Sequence, residues 1–328
     1  MTYSVGSTIL SDDYNVFATG ASNGAPTNSA NVNNLWGAGN GNYGFGQSTT
    51  LSAVASGNTI TATQWSTLIS RVNSIKAHQT GGGVSFTNTS GGAAVNIASG
   101  EIIYQLSQLN SAISSAYTSQ GVAASTGSPA CHSTASQSIT DNSKSFPSTF
   151  PLNIITMTFV LTWTSGTAMR YFFNAGGYLE FTMSMPNSGT AKTQSWSNLL
   201  SDVGIVRFGG ISSVYTGYSG TWNTNRTDFN RGSIPTSPGL WFKKYNDTGV
   251  GDYNANYVEA YISRINSDSA IAVTINMNDA ADDVEIKSAG QQDYQDYINN
   301  VANVRANVFA PSTSYISNTW GTVTVVTS

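Results

Sequence analysis

The chain has 328 residues and a formal net charge of −4, and only 9% of its residues are Asp, Glu, Lys or Arg. A typical soluble domain carries about 25% charged residues. The chain has only 13 basic residues, too few over this length to form the positively charged surface that binds nucleic acid. Hydrophobic residues reach 39% and aromatic residues 11%, which excludes a disordered polar chain. We expect neither a signal peptide nor membrane insertion, because the sequence lacks a basic-flanked apolar start and any long apolar run.

The first 120 residues have the pattern of helices joined by glycine-rich loops. Apolar residues at spacings of three and four predict a helix from Ala62 to Gln79, and Thr61 with Gln64 forms a capping-box pattern before it. Gly81 is the predicted stop. A second helix is predicted from Gly100 to Tyr117, where one apolar stripe follows the same spacing.

The rest of the chain is predicted to be a polar linker at 121–149 and then a region of period-two strands. Two hairpins are expected, Ile154–Trp163 with Arg170–Met185 and Tyr257–Arg264 with Ala270–Met277, and a last strand covers 322–327. A helix is expected at Asp293–Val308. The predicted fold class is therefore α+β: a helical, loop-rich region at 1–120, the linker, and a mainly antiparallel β-sandwich at 150–328.

The sequence contains few residues that could form a catalytic or metal site. Cys131 and His132 are neighbours in the predicted linker, and the side chains of adjacent residues point apart, so a catalytic pair is not expected. A carboxylate group at Asp279, Asp282, Asp283 and Glu285 could collect calcium, but it lacks the spacing of a known calcium loop, and an exposed turn is the better interpretation.

Two further glutamates raise the question of glycan cleavage, which requires a facing pair of carboxylates. Glu180 and Glu259 each fall in a predicted hairpin, but the sequence cannot give their separation. No phosphate loop, nucleophile elbow or dinucleotide fingerprint is present. We therefore expect no enzyme activity, no metal and no cofactor.

Aromatic residues crowd the stretch between positions 215 and 257. Alternating aromatics most often fill a sandwich core, whereas a Tyr beside glycine in a loop can stack on a sugar ring. Tyr218 and Tyr253 are the candidates for such glycan stacking.

Two segments resemble virion structural proteins of large, contractile-tailed bacteriophages, including those of cyanobacteria. Asn42-Tyr-Gly-Phe-Gly-Gln47, followed by a helix that ends in His78-Gln-Thr-Gly81, is similar to a Tyr-Gly-Tyr-Gly-Gln motif and a His-Gln-x-Gly helix end of that family. Phe45 stands where the family usually has a second Tyr. Met169-Arg-Tyr-Phe-Phe-Asn-Ala-Gly-Gly177 looks like an Arg-x-Phe-Phe-Asn-x-Gly-Gly segment of the same proteins.

Two interpretations of these motifs remain open. The glycine loop and the helix end could form a clasp inside the fold, or they could be a docking surface for a neighbouring virion subunit. Arg170 could pair with an acidic residue or reach a partner chain. Glycines permit positive φ or close backbone approach, and a helix C-terminus suits hydrogen-bond donors. The residues concerned are Gly44, Phe45, Gly46, Gln47, His78, Gln79 and Arg170.

The resemblance implies a non-enzymatic virion protein, tail-associated as a fibre, collar or baseplate appendage, that docks onto other virion proteins. Self-assembly into a homo-oligomer, with a trimer as the first expectation, follows from the symmetry usual for such parts. The alternatives are a carbohydrate-binding adhesin that reads a glycan of the host envelope and, less favoured, a glycan-cleaving tail protein.

Overall fold

The architecture comes from a computed structural model. It describes residues 10–21, 30–39, 43–48, 50–82, 101–119, 138–146, 153–210, 213–217, 227–246, 253–280 and 298–328. The chain divides into two compact units. The helical unit comprises Met1–Thr134, Arg170–Gly177 and Ala310–Thr319, and the sandwich unit comprises Ala135–Met169, Tyr178–Phe309 and Trp320–Ser328. The helical unit therefore includes two segments from far along the chain.

The helical unit is built around a pair of 19-residue helices, as the sequence predicts. Its helices are α1 (Ser11–Ala18), α2 (Val32–Trp36), α3 (Ala62–Thr80) and α4 (Glu101–Ser119). Thr61 and Gln64 form the capping box of α3, and Gly81 ends that helix in the left-handed conformation at φ 79°. α3 packs against α4, and its buried face contains Trp65, Leu68, Val72 and Ile75.

The sandwich unit contains two five-stranded sheets whose strand pairs are all antiparallel. The strands are β1 (Ser138–Ser145), β2 (Asn153–Thr162), β3 (Tyr178–Ser184), β4 (Ile205–Phe208), β5 (Ser213–Thr216), β6 (Gly239–Tyr245), β7 (Tyr257–Ile265), β8 (Ala270–Asp279), β9 (Val301–Phe309) and β10 (Thr324–Thr327). The first sheet has the order β1-β9-β3-β4-β5 and the second β10-β2-β8-β7-β6. The predicted α+β fold with an antiparallel sandwich is confirmed.

The inner faces of the two sheets meet through aromatic side chains. The ring of Phe181 on β3 lies 5.7 Å from that of Phe159 on β2 and 5.8 Å from that of Trp241 on β6, measured between centroids. All three side chains are fully buried. α6 (Ala191–Val203), which begins after the capping residue Thr190, packs against β3, β6 and β7.

The hairpin at 257–277 is confirmed. β7 and β8 pair along their whole length, from Tyr257 opposite Asn278 to Ile265 opposite Ala270. Three consecutive residues of the connecting turn, Asn266, Ser267 and Asp268, have positive φ. The predicted last strand is present as β10, which pairs with β2.

The predicted hairpin of Ile154–Trp163 with Arg170–Met185 is wrong. Its first arm is β2, but residues 166–174 form the helix α5 (Gly166–Asn174), and β3 belongs to the other sheet. The Ser165 hydroxyl accepts a hydrogen bond from the Ala168 N–H at 3.0 Å. This capping contact begins a helix where β-rich composition indicated a strand.

The helix predicted at Asp293–Val308 is also wrong over its described part, where β9 occupies Val301–Phe309. The valines at three- and four-residue spacing suggested one helical face. However, Ala302, Val304, Ala306 and Val308 alternate as the fully buried positions, and β-branched residues fit a pleated surface well. Residues 121–149, predicted to be a linker, contain β1, whose side chains alternate between half-buried and exposed.

Candidate functional site: the motif clasp

The first motif forms a loop whose backbone is held by α2. The backbone N–H groups of Phe45, Gly46 and Gln47 donate to the carbonyl oxygens of Leu35, Gly37 and Trp36 at 3.1, 2.8 and 2.9 Å, respectively. These bonds pair three successive backbone N–H groups of the loop with the C-terminal end of α2.

Two positions in this loop require glycine. Gly44 has φ 95°, and a Cβ there would lie 2.4 Å from the carbonyl oxygen of Ala38. Gly46 has φ 70°, and a Cβ there would lie 2.3 Å from the ring of Tyr171. Positive φ and close approach together explain the two glycines of the motif.

Phe45 and His78 join the loop to the end of α3. Their rings meet edge to face with centroids 5.3 Å apart, and both side chains are fully buried. The His78 Nε2 lies 2.8 Å from the carbonyl oxygen of Ala175, in the second motif. Since a carbonyl oxygen only accepts, Nε2 carries the proton. Burial lowers the pKa of His78 to about 4, because the interior disfavours the charged imidazolium.

Gln47 ties the loop to the late segment Ala310–Thr319. Its Nε2 donates to the carbonyl oxygens of Phe45 and Ser317 at 3.1 and 2.9 Å, and its Oε1 accepts from the Ser317 N–H at 3.0 Å. The Thr319 hydroxyl donates to the Phe45 carbonyl at 2.6 Å. Both ends of the Gln47 amide are therefore satisfied within the helical unit.

The second motif supplies the other side of the same cluster. Asn174 Nδ2 donates to the Gly44 carbonyl at 3.0 Å, and Arg170 Nη2 donates to the Ala38 carbonyl at 2.7 Å. The close approach of the Tyr171 ring to Gly46 completes the contact. We call the set of Gly44–Gln47, His78, Arg170–Ala175 and Ser317–Thr319 the motif clasp.

Gln79 has a separate role. Its Nε2 donates to the Ala116 carbonyl near the end of α4 at 2.9 Å, and one turn earlier Lys76 Nζ donates to Ser115 Oγ at 3.0 Å. These bonds join the C-terminal turns of α3 and α4. Gln79 therefore stabilises the helix pair rather than the loop.

The clasp residues contact one another inside the helical unit. Phe45 and His78 are fully buried and Gln47 is 7% exposed. The Gln47 amide and His78 Nε2 bond within the helical unit, whereas His78 Nδ1 is buried without a hydrogen-bond partner among the described residues. A clasp inside the fold, the first of the two interpretations, would make contacts of this kind. A docking surface for a neighbouring subunit would have to use the half-buried Arg170 and residues that surround the clasp. The sequence did not single out Tyr171, Asn174, Ser317 or Thr319, although the first two lie inside a recognised motif.

Acid should loosen the clasp through His78. The folded pKa of about 4 lies below the ordinary value of 6.5, so the unfolded chain binds the proton first as the pH falls. The helical unit therefore loses free energy of unfolding from about pH 6.5 downwards, reaching about 3 kcal/mol below pH 4. Urea unfolding of wild type and His78→Gln at pH 7, 5.5 and 4 measures the effect. Gln keeps a donor for Ala175 but does not titrate, and an identical pH dependence in both proteins would contradict the prediction.

Of the two tyrosines predicted to stack on a glycan, the one that the structure describes does not provide an exposed ring. Tyr253 is buried, at 8% exposure, and Tyr218 lies outside the described residues. Tyr215, Trp241 and Phe242 are buried as well, in agreement with the core interpretation of the aromatic stretch. Tyr245 and Tyr257 are half-buried.

Glu180 and Glu259 do not face each other. Their strand neighbours Leu179, Phe181, Val258 and Ala260 point into the core with no exposed surface, so each glutamate lies on the outer face of its own sheet. Glu180 pairs with Arg207 at 2.8 Å, and Glu259 pairs with Lys243 at 3.5 Å. With both sheets between them, these carboxylates are not the pair that sugar hydrolysis needs.

Asp279 is part of a buried ion pair. Its Oδ2 lies 2.8 Å from Lys192 Nζ on α6, with side chains 1% and 2% exposed, and Trp196 Nε1 donates to its Oδ1 at 3.4 Å. The exposed turn that the sequence favours for this residue is wrong. The other members of the suggested calcium group, Asp282, Asp283 and Glu285, lie outside the described residues, as do Cys131 and His132.

Within the part of the chain that the structure describes, no three His, Cys, Asp or Glu side chains converge to hold a metal ion. Among the same residues, no helix combines the length and the hydropathy needed to cross a membrane. Comparison of the chain with protein-family models, with curated proteins and with solved structures finds no match.

Proposed function

We propose that this chain is a structural component of a tailed-phage virion, tail-associated as a fibre, collar or baseplate appendage, which self-assembles and docks onto other virion proteins. The observation that best supports the proposal is that the two phage-like motifs contact each other in the motif clasp. The segments that resemble virion proteins are distant in sequence, yet His78 bonds to Ala175, 97 residues later, and Asn174 bonds to Gly44, 130 residues earlier. The resemblance therefore concerns one interlocked structure rather than two unrelated short matches.

The surface chemistry supports assembly. Hydroxyl and amide groups cost less to desolvate between subunits than ions do, and only 9% of the residues are charged. Symmetric homo-oligomers are the usual state of such parts. The protein would then act inside the assembled particle, and its partners would be further copies of itself and neighbouring virion proteins.

The mass of the purified full chain tests self-assembly. We expect a homo-oligomer, with a trimer as the first expectation, at micromolar concentration in native mass spectrometry or sedimentation. A monomer at that concentration would contradict the proposal. Antibody labelling of phage particles by electron microscopy tests location, and labelling confined to the tail is the expected result. A protein found only in lysate, and never in purified particles, would overturn the virion assignment.

A further inference from the structure

Two tyrosines of the helical unit stack face to face beside the first motif. The ring of Tyr43, which precedes Gly44, lies 4.0 Å from the ring of Tyr117 near the end of α4, measured between centroids, and the two planes are 12° from parallel. Aromatic pairs usually have centroids about 4.5–7 Å apart, so these rings are unusually close. Both residues are half-buried, which leaves part of each within reach of a small reagent. We call Tyr43 and Tyr117 the tyrosine stack.

The two hydroxyl groups of the stack point in the same direction. A hydrogen bond between the two side chains, together with burial, raises the pKa of Tyr43 to about 12. Hydroxyls on rings stacked at 4.0 Å come within bonding reach only when both C–O bonds point the same way, since rings opposed head to tail would place the oxygens at opposite ends of the stack. The Cε carbons, which flank each hydroxyl-bearing carbon, therefore lie against one another.

Both members of the stack are held by the surrounding fold. The backbone at Tyr43 lies so close to Gly39 that a Cβ on that glycine would be 2.5 Å from the Tyr43 carbonyl oxygen. On the other side, Tyr117 follows Ala116, whose carbonyl accepts the hydrogen bond from Gln79 at 2.9 Å. The fold therefore brings the two rings together before any reaction takes place, and little freedom has to be lost for them to react.

Parallel tyrosine rings in this arrangement are suited to oxidative coupling. Loss of one electron and one proton gives a phenoxyl radical, whose unpaired electron is shared by the oxygen and the ring carbons ortho and para to it. The para carbon already carries Cβ, so two such radicals join through their Cε carbons, and the hydrogen on each joined carbon then moves to oxygen and restores the phenol. Overall, two phenols gain one C–C bond and lose two electrons and two protons. One molecule of hydrogen peroxide takes up both and becomes two molecules of water.

We propose that Tyr43 and Tyr117 are the site of an oxidative dityrosine cross-link, formed within one chain when hydrogen peroxide and a haem peroxidase act on the protein. The stack holds the second phenol beside the first, so coupling inside the chain is favoured over coupling to a tyrosine of another chain. The bond would join the loop of the first motif to α4, and it would stabilise the helical unit because a cross-link restricts the unfolded chain. This modification goes beyond the proposed virion role and does not depend on it.

The test is oxidation of the full-length protein with hydrogen peroxide and a haem peroxidase, followed by mass spectrometry of the denatured chain. We expect the mass of single wild-type chains to fall by that of two hydrogen atoms, with the blue fluorescence of dityrosine. Peptide mapping should join the peptides that contain Tyr43 and Tyr117. Since the sequence has a single cysteine, a disulfide cannot cause this mass loss within one chain. The cross-linked protein should also unfold at a higher urea concentration than untreated protein.

Phenylalanine variants provide the controls. Tyr43→Phe and Tyr117→Phe each keep a ring in the stack but remove one phenol, and each should abolish the cross-link. Tyr257→Phe is the matched control in a second tyrosine pair, because the rings of Tyr245 and Tyr257 are 5.2 Å apart at an angle of 56° and are not stacked. We expect this variant to form the Tyr43–Tyr117 bond as wild type does.

Four results would overturn the proposal: no loss of hydrogen from wild type, a bond mapped to other residues, a bond found only between chains, or an undiminished bond in both variants of the stack. Thermal unfolding before oxidation separates a lost phenol from a lost fold, and the peptide map of wild type identifies the bonded residues without any variant. A negative result leaves the oligomer mass and the particle labelling unaffected, so failure here is distinguishable from failure of the virion assignment.

Discussion

Replacing Asp279 by asparagine is expected to lower the free energy of unfolding of the sandwich unit by about 3–5 kcal/mol, because breaking a buried ion pair from one side leaves a charge without its counter-ion. The carboxylate lies 2.8 Å from Lys192 Nζ, and both side chains are almost wholly buried. Asparagine keeps the shape but not the charge. Denaturant unfolding followed by tryptophan fluorescence measures the change, since Trp196 bonds to the same carboxylate.

Asp141→Asn is the matched control in the same unit. Asp141 pairs with Arg305 at 2.8 Å, but their side chains are 42% and 49% exposed, and an exposed pair contributes little. We expect almost no change in unfolding for this variant. Combining Asp279→Asn with Lys192→Met should recover part of the loss, because the second change removes the uncompensated cation. Equal effects of the Asp279 and Asp141 variants would contradict the prediction.

The sequence predicts those parts of the fold where local pattern and tertiary packing agree. The helix at 62–79 has a capping box, an apolar face and a glycine stop, and each of these is present in α3. The hairpin of β7 and β8 combines period-two alternation with a polar turn. In both segments the apolar residues follow only one periodicity, helical in the first and strand-like in the second, so the sequence does not suggest the other element.

The errors lie where two periodicities coexist. In residues 301–308 the valines fit a helical face, but alanines at the intervening buried positions complete an alternating pattern. Alanine is the best helix former and is depleted in strands, so its presence here also favoured the wrong interpretation. In residues 166–174 the deciding feature is one hydroxyl, that of Ser165, which caps a helix.

The motif clasp could be predicted only in part. The glycines, His78 and Arg170 were identifiable from the motifs, and a clasp between the glycine loop and the helix end was one of two open interpretations. The contact of Arg170 with the Ala38 carbonyl was not predicted, because an acidic residue or a partner chain was the expected partner. The partners of Gln47 were not identifiable, because Ser317 lies 270 residues away and carries no distinctive local pattern. Backbone carbonyls accept most of the clasp's hydrogen bonds, and a backbone acceptor leaves no trace in a sequence.

The second large effect is expected at Gly46, where alanine should destabilise the helical unit by about 2–5 kcal/mol. Two costs add. A side chain at φ 70° is strained by about 1–2 kcal/mol, and a Cβ 2.3 Å from the Tyr171 ring forces a displacement that costs about 1–3 kcal/mol more. The ring cannot move freely, because its helix also carries Arg170 and Asn174, which bond to Ala38 and Gly44. Denaturant midpoints of wild type and variant measure the loss.

Gly57→Ala separates the two costs. Gly57 has φ 84°, and a Cβ there meets nothing within 4 Å, so this variant carries the backbone strain without the clash. We expect Gly46→Ala to lower the free energy of unfolding more than Gly57→Ala does, and the difference should equal the cost of the clash with the Tyr171 ring. Adding Tyr171→Ala to both should reduce the difference between them, because the clashing ring is then absent. If Gly46→Ala and Gly57→Ala are equally destabilising, the Tyr171 ring does not constrain the loop, and the clasp owes its shape to the Gln47 and His78 bonds instead.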